Sequence, residues 1–448
     1  MAEPKHVQFG RGDKADVDFT NADKVSFVRD NSYTRSIYLG GEKYGEIIDG
    51  VNSQAFAFHI DGNNSDPENR VSYLGQNRAY KPARFNFKTG KMELNDWKDK
   101  FFMPKPVALG FDGTVKGYLK EDDYTQLQDG TAVSTLTNYN IMMEWPQIWL
   151  KIIPDNGDST SAIIEIAATQ LDSEFHCYNC YDTTNTLKDH FYTSVYDMSI
   201  DSNGYGRSIT GQTPTNSNTA DAQRAAALKC GTGWDLETFG DRQLITYLLW
   251  LISRSTDTQS AFGAGYGGVT AKGSSASALI ASGTMNDKGM WYGDSEGNTG
   301  VKVFGMENFW GNIWRRTVGI GDINGTIKYK LTPGTIDGST ATDYNLTLDG
   351  YKTGGTIPAS NDAYISQIKW NEDTYWPTAA SGSDTTYYAD GIWTYYSSPF
   401  NKYPSGNQSV ALFGGYLCDG RICGASAWGL HCAASYANWY DGAALSFR

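Results

Sequence analysis

Six cysteines are the residues in this sequence best suited to chemistry, and their spacing limits what that chemistry could be. Cys177 and Cys180 have the C-x2-C spacing of half a zinc site or of a redox motif. The sequence contains no second C-x2-C pair to complete a zinc site, so a structural role is predicted for the first. Three further cysteines lie around His431 near the end of the chain, at Cys418, Cys423 and Cys432. Their neighbours share no chemical theme, and we predict no metal site there.

Other residues that could act in catalysis lack a supporting motif. The acidic residues that could pair for hydrolysis are Asp172, Glu174, Asp322, Asp384 and Asp390. All five are predicted to be solvated loop positions. Residues 263–268 (GAGYGG) have the glycine content of a phosphate cradle, but they follow a predicted helix and open none, which favours a flexible turn. With no legible Ser-His-Asp arrangement either, the sequence predicts no catalytic residue and no cofactor.

The last stretch of the chain, residues 411–448, has a composition unlike the rest. Between Tyr416 and Asp441 it contains no Lys, Glu, Gln or Met. Small residues and tryptophans recur as a framework: Gly414, Gly415, Gly424, Ala425, Trp428, Ala433, Ala434, Trp439, Gly442, Ala443 and Ala444. The positions between them carry side chains of unrelated chemistry. This pattern is typical of a scaffold that displays changeable side chains, so the predicted function is binding.

The predicted binding residues come from separate loops of this stretch. They are Leu417, Cys418, Asp419, Gly420, Arg421, Ile422, Trp428, Leu430, His431, Cys432, Tyr436, Asn438, Tyr440 and Asp441. All of them except Trp428 and Asn438 are expected to form one contiguous exposed face, because random changes at packed positions destabilise a protein. The small framework residues should be buried or sterically tight. Arg421, His431, Tyr436 and Tyr440 are the predicted anchors, since Arg and aromatic side chains dominate binding hot spots.

Composition and charge narrow the class of protein. Gly (49), Tyr (29) and Trp (13) are abundant, which is typical of a loop-rich, mostly β protein with aromatic surfaces. The net charge of −13 and the absence of a basic block argue against nucleic acid or a polybasic membrane contact as partner. The N-terminal sequence has no apolar core, so we expect no signal peptide. The longest apolar run, residues 244–252, is far shorter than the ~20 residues of a membrane span.

Three regions are expected to position the terminal stretch. Residues 1–50 alternate apolar and polar side chains (Val7, Phe9; Val17, Phe19; Val25, Phe27; Ile37, Leu39), which predicts short strands with little core of their own. Such a region suits attachment and assembly. Residues 51–140 are predicted to form a β-rich intermediate region. Residues 141–448 form the main predicted domain, with strands at 141–153, interrupted at Pro146, and at 161–168.

Helices are predicted only in the middle of the chain. The first opens at Thr219 or Asp221 and runs to about residue 230. The second runs from about residue 237 to residue 253 and has an apolar stripe on one face, formed by Leu244, Ile245, Leu248, Leu249 and Ile252. Asn324-Gly325 predicts a two-residue hairpin turn. Trp310 and Trp314 are expected to be buried beneath the terminal stretch. The predicted fold class is therefore α+β, mostly β, with two helices.

Several segments in this order resemble the C-type lectin fold, and more closely its variant in phage tail receptor-binding proteins that are diversified by retroelements. The segments are GRSITGQTPT (206–215), SRSTDTQSAFGAG (253–265), GMENFWGNIWRR (305–316), SGSDTTYYADGIW (381–393) and ALFGGY…GAALSFR (411–448). The resemblance covers roughly residues 105–448. It implies a C-type lectin-like domain at 141–448, whose variable part is 411–448.

The resemblance also implies a reason for the unusual composition and a biological role. Adenine-directed mutagenesis of Asn-type codons cannot produce Lys, Glu, Gln, Met or Trp, so Trp428 and Trp439 would be fixed scaffold. The implied function is host adhesion at the tip or fibre of a phage tail. The implied partners are a bacterial surface receptor, protein or glycan, other tail proteins and further copies of the chain, most simply in a trimer.

Two other functions on the same fold remain as alternatives. Formylglycine-generating enzymes bind copper through C-terminal cysteines, and the C-x4-C spacing of Cys418 and Cys423 is similar. Such a pair would need fixed neighbours and thiolate character. A calcium-dependent carbohydrate-binding lectin would need converging carboxylate and amide oxygens. The nearest candidate for that site is Glu307-Asn308, which we expect to brace the core instead.

Overall fold

The computed structural model describes residues 51–332, 348, 350–358, 363–394 and 408–448, together with the backbone of three strands before residue 50. The protein is α+β and mostly β, as the sequence predicts. Its described helices number three, one more than predicted. They are α1 (Ala220–Leu228), α2 (Phe239–Ser253) and α3 (Thr258–Phe262).

The described strands are short and follow one another through most of the chain. In chain order they are β1 (Val25–Arg29), β2 (Thr34–Leu39), β3 (Glu42–Ile48), β4 (Phe56–Ile60), β5 (Val71–Gly75), β6 (Arg84–Asn86), β7 (Lys91–Glu93), β8 (Lys105–Gly110), β9 (Val115–Lys120), β10 (Asp123–Leu127), β11 (Tyr139–Pro146), β12 (Trp149–Asp155), β13 (Asp158–Ala167), β14 (His190–Ser194), β15 (Ser199–Ile200), β16 (Gly206–Arg207), β17 (Trp234–Leu236), β18 (Lys302–Val303), β19 (Met306–Glu307), β20 (Trp314–Ile323), β21 (Thr326–Tyr329), β22 (Lys352–Thr356), β23 (Ala363–Tyr364), β24 (Gln367–Trp370), β25 (Tyr375–Ala379), β26 (Gly391–Thr394), β27 (Gln408–Phe413), β28 (Trp428–Cys432), β29 (Asp441–Ala443) and β30 (Leu445–Phe447).

The three strands before residue 50 pair with one another as an antiparallel sheet, β1-β2-β3. The predicted strand positions Val25, Phe27, Ile37 and Leu39 lie in this sheet. The other predicted positions fall outside the described residues: Val7, Phe9, Val17 and Phe19.

Strands from residues 51–140 share sheets with strands from the rest of the chain. One sheet has the order β12-β13-β4-β5, and a seven-stranded sheet has the order β10-β9-β8-β11-β14-β30-β17. The chain's last strand, β30, therefore lies between β14 and β17. Strands from both sides of the predicted boundary near residue 140 therefore pair within these two sheets.

The predicted strand at 141–153 is two strands that belong to different sheets. The first, β11, ends at Pro146, and the second, β12, begins three residues later at Trp149. Proline cannot donate a ladder hydrogen bond, which explains the break. The predicted partner at 161–168 is β13, which pairs antiparallel with β12, placing Leu150 opposite Ile166.

A third large sheet carries most of the terminal stretch. Its order is β22-β21-β20-β27-β28-β26-β23, with β29 added parallel to β20. The turn between β20 and β21 is the predicted hairpin at Asn324-Gly325, with φ of 51° and 77°. Two successive residues with positive φ are typical of the type I′ turn that Asn-Gly favours. This prediction is confirmed.

The two predicted helices are confirmed, with their starts fixed by threonine caps. The Thr219 hydroxyl accepts a hydrogen bond from the N–H of Ala222 (3.2 Å) at the start of α1. At the start of α2, Thr238 and Asp241 form a reciprocal capping box. The predicted apolar stripe of α2 lies in the core, and the rest of the helix is buried too, all fifteen residues in total. Strands β5 and β20 and helix α3 all contact it, so its polar side chains are also enclosed.

The core is rich in tryptophan. Trp310 and Trp314 are 0 % and 1 % exposed, which confirms the prediction that both are buried. The Trp310 indole N–H donates to the carbonyl of Gly263 (3.1 Å). Within the part of the chain that the structure describes, no helix is long and apolar enough to cross a membrane.

Candidate functional site

The terminal stretch rests on the WGNIW segment, residues 310–314. The N–H of Gly311 donates to the carbonyl of Gly414 (3.1 Å), and the N–H of Leu417 donates to the carbonyl of Asn312 (3.2 Å). Further on, the N–H of Trp314 donates to the carbonyl of Tyr440 (3.0 Å). One segment thus fixes the backbone of the stretch at both of its ends, as expected for a scaffold.

A buried arginine on α2 holds the middle of the stretch. Arg242 donates from Nε to the carbonyl of Ala425 (3.1 Å) and from Nη1 to the carbonyl of Phe309 (2.7 Å). Its guanidinium carbon lies 3.8 Å from the centre of the Phe309 ring. The side chain is 0 % exposed, and hydrogen bonds from a charged donor are among the strongest in proteins. We call this arrangement the Arg242 clamp.

Two other side chains bind the neighbouring backbone. The carboxylate of Asp390 accepts from the N–H (2.8 Å) and the hydroxyl (2.7 Å) of Ser426. The side chain of Gln259 donates to the carbonyls of Arg421 (3.2 Å) and Cys423. Burial raises the pKa of Asp390 well above its ordinary value. These contacts give residues 421–426 a backbone that does not depend on the side chains displayed around it.

The framework residues predicted to be tight are buried, which confirms that part of the hypothesis. They are Gly414, Gly415, Gly424, Ala425, Ala433, Ala434 and Ala443. A Cβ at Gly424 would lie 1.7 Å from Oδ1 of Asp390, so no larger residue fits there. Gly415 has a φ of 78°, and a Cβ would lie 2.6 Å from Sγ of Cys423.

Eight of the fourteen predicted binding residues reach solvent. Arg421 and Tyr436 are exposed, while Cys418, Asp419, Gly420, His431, Asn438 and Tyr440 are half-buried. We call these eight residues the display face. They include all four of the predicted anchors. They come from three segments, namely the turn at 418–421, strand β28 and the loop at 436–440.

An aromatic cluster joins two of these segments. The ring centre of Tyr416 lies 4.8 Å from that of Tyr440 and 5.6 Å from that of Trp439. Neither Tyr416 nor Trp439 was predicted as a binding residue, although both are half-buried at this surface. The third segment is linked to this cluster indirectly, because the ring centre of His431 lies 6.2 Å from that of the buried Trp314, whose N–H donates to the carbonyl of Tyr440.

Two residues outside the terminal stretch border the display face. The Nε atom of Arg421 lies 3.8 Å from a carboxylate oxygen of Asp384, with both side chains 43 % exposed. The thiol of Cys418 donates to the carbonyl of Gly273 (2.6 Å). Both partners are distant in sequence, so no local pattern could have identified them.

The other six predicted binding residues are buried, and the expectation that Leu417, Ile422, Leu430, Cys432 and Asp441 would be exposed is wrong. The sixth is Trp428. On β28, Trp428 and Leu430 share one face and pack in the same core cluster. Cys432 packs in a different cluster, because the pairing of β28 with β27 shifts register between Gly429 and Cys432. The period of two was therefore a legible signal for Trp428 and Leu430 and not for Cys432.

Leu417 and Ile422 are buried by residues from elsewhere in the chain. Leu417 is 0 % exposed and packs with Leu279 and Ile313. Ile422 is 8 % exposed and packs against Gly391, where a Cβ would lie 1.7 Å from its Cγ2. Both are apolar side chains that stabilise the turn at 418–421 from below.

Asp441 is a structural counter-ion. It is 0 % exposed, and its carboxylate lies 3.3 Å from Nη2 of Arg316, which is also 0 % exposed. Arg316 also donates to the carbonyl of Tyr436 (2.7 Å) and to the side chain of Gln223 (2.9 Å). Burial raises the pKa of Asp441, and the arginine opposes that effect. Removing either partner would leave a buried charge unpaired.

The cysteines lie in environments that disfavour thiolates, with one exception. Burial raises the pKa of Cys418, Cys423 and Cys432, and the last two are 0 % exposed. Cys177 and Cys180 are both buried, and a hydrogen bond between their thiols lowers the pKa of Cys177 and raises that of Cys180. No group of three or more His, Cys, Asp or Glu side chains placed to hold a metal occurs among the described residues.

Glu307 braces the core, as predicted. Its carboxylate accepts from the N–H groups of Gly283 (2.8 Å) and Met285 (3.0 Å), and the residue is 1 % exposed. Burial raises its pKa to about 7 and lowers that of the neighbouring Lys302 to about 8.

The acidic residues predicted to be solvated divide into two groups. Asp172, Glu174 and Asp384 are exposed or half-buried, and Lys151 pairs with the first two (3.1 Å and 2.5 Å). Asp322 and Asp390 are 0 % exposed, so the prediction is wrong for them. Asp322 accepts from the N–H of Gly325 (2.7 Å) and holds the hairpin turn.

No protein-family model matches this sequence, and no curated protein matches it at a significant level.

Proposed function

We propose that the protein is a receptor-binding protein of a phage tail, with a C-type lectin-like domain that presents the display face to the host surface. The observation that carries the proposal is the division of the terminal stretch into two sets. Framework residues are buried and held by the Arg242 clamp, Asp390 and Gln259. Between them stand eight exposed or half-buried residues of unrelated chemistry.

Such a division suits recognition. The side chains that fix the backbone of residues 421–426 are Arg242 on α2, Gln259 on α3 and Asp390 just before β26. A change of the side chain at Arg421 or Tyr436 leaves these contacts intact. Tyrosine and tryptophan supply large contact areas at low entropic cost, and small polar side chains adapt around them. Weak individual contacts would be strengthened by several copies per virion.

The display face is better suited to binding than to redox chemistry. A copper-binding pair at Cys418 and Cys423 would need two accessible thiolates. Here the thiol of Cys423 is buried and donates to the carbonyl of Tyr416 (3.3 Å), while that of Cys418 donates to Gly273. The oxygen atoms of Glu307 are likewise committed to backbone N–H groups in the core.

The test is binding of the labelled protein to a panel of bacterial strains. We expect wild type to bind at least one strain, and a variant with Arg421, His431, Tyr436 and Tyr440 changed to Ala to lose that binding while keeping its unfolding midpoint. The matched control changes three residues exposed elsewhere on the molecule to Ala: Arg78, Phe87 and His190. Equal binding by the two variants, or no strain bound by wild type, would contradict the proposal.

A further inference from the structure

A second concave site lies away from the terminal stretch, at the ends of β8 and β9. It is a cavity of about 610 Å³ bordered by the loop at 94–106 and by residues 289–291. This volume falls within the range of sites that hold a small ligand. None of its lining residues belongs to the display face.

Two aromatic side chains form rigid walls of the cavity. The Trp291 ring is packed on Phe304 and Phe262, with ring centres 4.6 Å and 5.7 Å away, yet the residue remains half-buried. Tyr118 is 37 % exposed, and its hydroxyl donates to Glu144 (3.0 Å). Because both rings are already held in place, stacking a ligand on them costs these two side chains little additional freedom.

The polar part of the lining carries both signs of charge. Two lysines, Lys98 and Lys105, stand with three carboxylates, Asp99, Glu121 and Asp122, so the formal balance is −1. A strongly charged ligand of either sign would meet like charges. A wholly apolar ligand would desolvate these groups without hydrogen bonds to replace water.

We propose that this cavity binds a neutral saccharide of two or three rings. The C–H faces of such a ligand would stack on Trp291 and Tyr118, and its hydroxyls can both donate to the carboxylates and accept from the lysines and Gln128. The site is built from residues outside 411–448, so it stays constant whatever the display face carries. It adds a fixed glycan contact to the proposed variable one, and it does not depend on the latter.

The experiment is titration calorimetry of the full chain with maltotriose, cellotriose and N-acetylated chitotriose, and with sialyllactose as a charged comparison. We expect saturable binding of at least one neutral trisaccharide and none of sialyllactose. Trp291→Ala should weaken that binding by about tenfold or more, since it removes one stacking wall. Trp393→Ala, at a half-buried tryptophan outside the cavity, should leave it unchanged.

A second variant, Gln128→Ala, is included in case Trp291→Ala does not fold. Gln128 is exposed, so removing its side chain should not disturb the packing of the fold. This substitution should weaken binding while keeping the wild-type unfolding midpoint. Absence of saturable binding by all three neutral trisaccharides would overturn the proposal, as would unchanged affinity in both the Trp291 and Gln128 variants. If the four-residue display-face variant lost sugar binding instead, the sugar would lie on the display face and the proposal would be wrong.

Discussion

Leu417 and Arg421 lie four residues apart in the same loop, and the structure predicts opposite consequences for changing them. Both looked alike in the sequence, as changeable positions. Leu417 is 0 % exposed and packs with Leu279 and Ile313. Arg421 is exposed, and its only described side-chain ion pair is the 3.8 Å contact with Asp384.

The size of each effect follows from burial. Leu417→Ala removes three buried carbon atoms, and transfer plus the cavity left behind should destabilise the fold by about 3 kcal/mol. The backbone cannot collapse readily into that space, because the N–H and carbonyl of Leu417 bond to Asn312 (3.2 Å) and Lys272 (3.0 Å). For Arg421→Ala the expected loss is under ~0.5 kcal/mol, since exposed ion pairs contribute little.

Urea unfolding measures both free energies on the full chain, and binding of the labelled variants to cells measures recognition. We expect Leu417→Ala to lower stability and Arg421→Ala to lower binding at unchanged stability. Leu417→Met, which nearly conserves volume, is the matched control and should cost far less than Ala. Either of two results would contradict this prediction: a free energy of unfolding for Leu417→Ala within ~1 kcal/mol of wild type, or a loss of more than ~2 kcal/mol for Arg421→Ala.

Three further predictions follow from the same contacts. Arg242→Met should destabilise the fold by about 3–5 kcal/mol, because it removes the donor to the buried carbonyl of Phe309 and one of the two donors to that of Ala425. Arg254→Met, at the exposed residue that follows the helix, should cost under ~0.5 kcal/mol, and equal urea midpoints would contradict the clamp. Burial lowers the pKa of His431 to about 4, so the unfolded chain takes up its proton first as the pH falls. Stability should therefore drop between pH 6.5 and pH 4, by at most about 3 kcal/mol. His431→Gln should flatten that part of the pH profile, and an unchanged profile would count against it. Light scattering of the full chain should show a closed oligomer, most simply a trimer, and a monomer at micromolar concentration with residues 1–50 folded would remove the argument for assembly.

Local signals predicted much of the fold. Asn324-Gly325 fixed a hairpin through its backbone preference, and Thr219, one of the two caps considered for the first helix, marks the start of α1. The framework glycines were recognisable because small residues recur where backbones approach closely. What local signals could not show was which strands share a sheet, since pairs such as β4 with β13 join residues about a hundred positions apart.

The exposure of the candidate site residues could be predicted only in part, because it also depends on contacts with distant parts of the chain. His431, Tyr436 and Arg421 reach solvent as expected. Leu417 is buried by partners that lie over a hundred residues upstream, and Asp441 by the distant Arg316. The burial of Leu430 had a local signal, the alternation along β28 that begins at Trp428, whereas the register shift before Cys432 had none.

Sequencing many copies of this gene from one population would show which positions of the terminal stretch change. If the display face is diversified, substitutions should concentrate at Cys418, Asp419, Arg421, His431, Tyr436 and Tyr440, and the gene should lie beside a reverse transcriptase gene and a near-repeat of the coding sequence for 411–448. The residues at Gly415, Gly424, Ala425, Trp428 and Trp439 should stay constant. Copies that are identical throughout the stretch, or that vary as much at these framework positions as on the display face, would contradict this prediction.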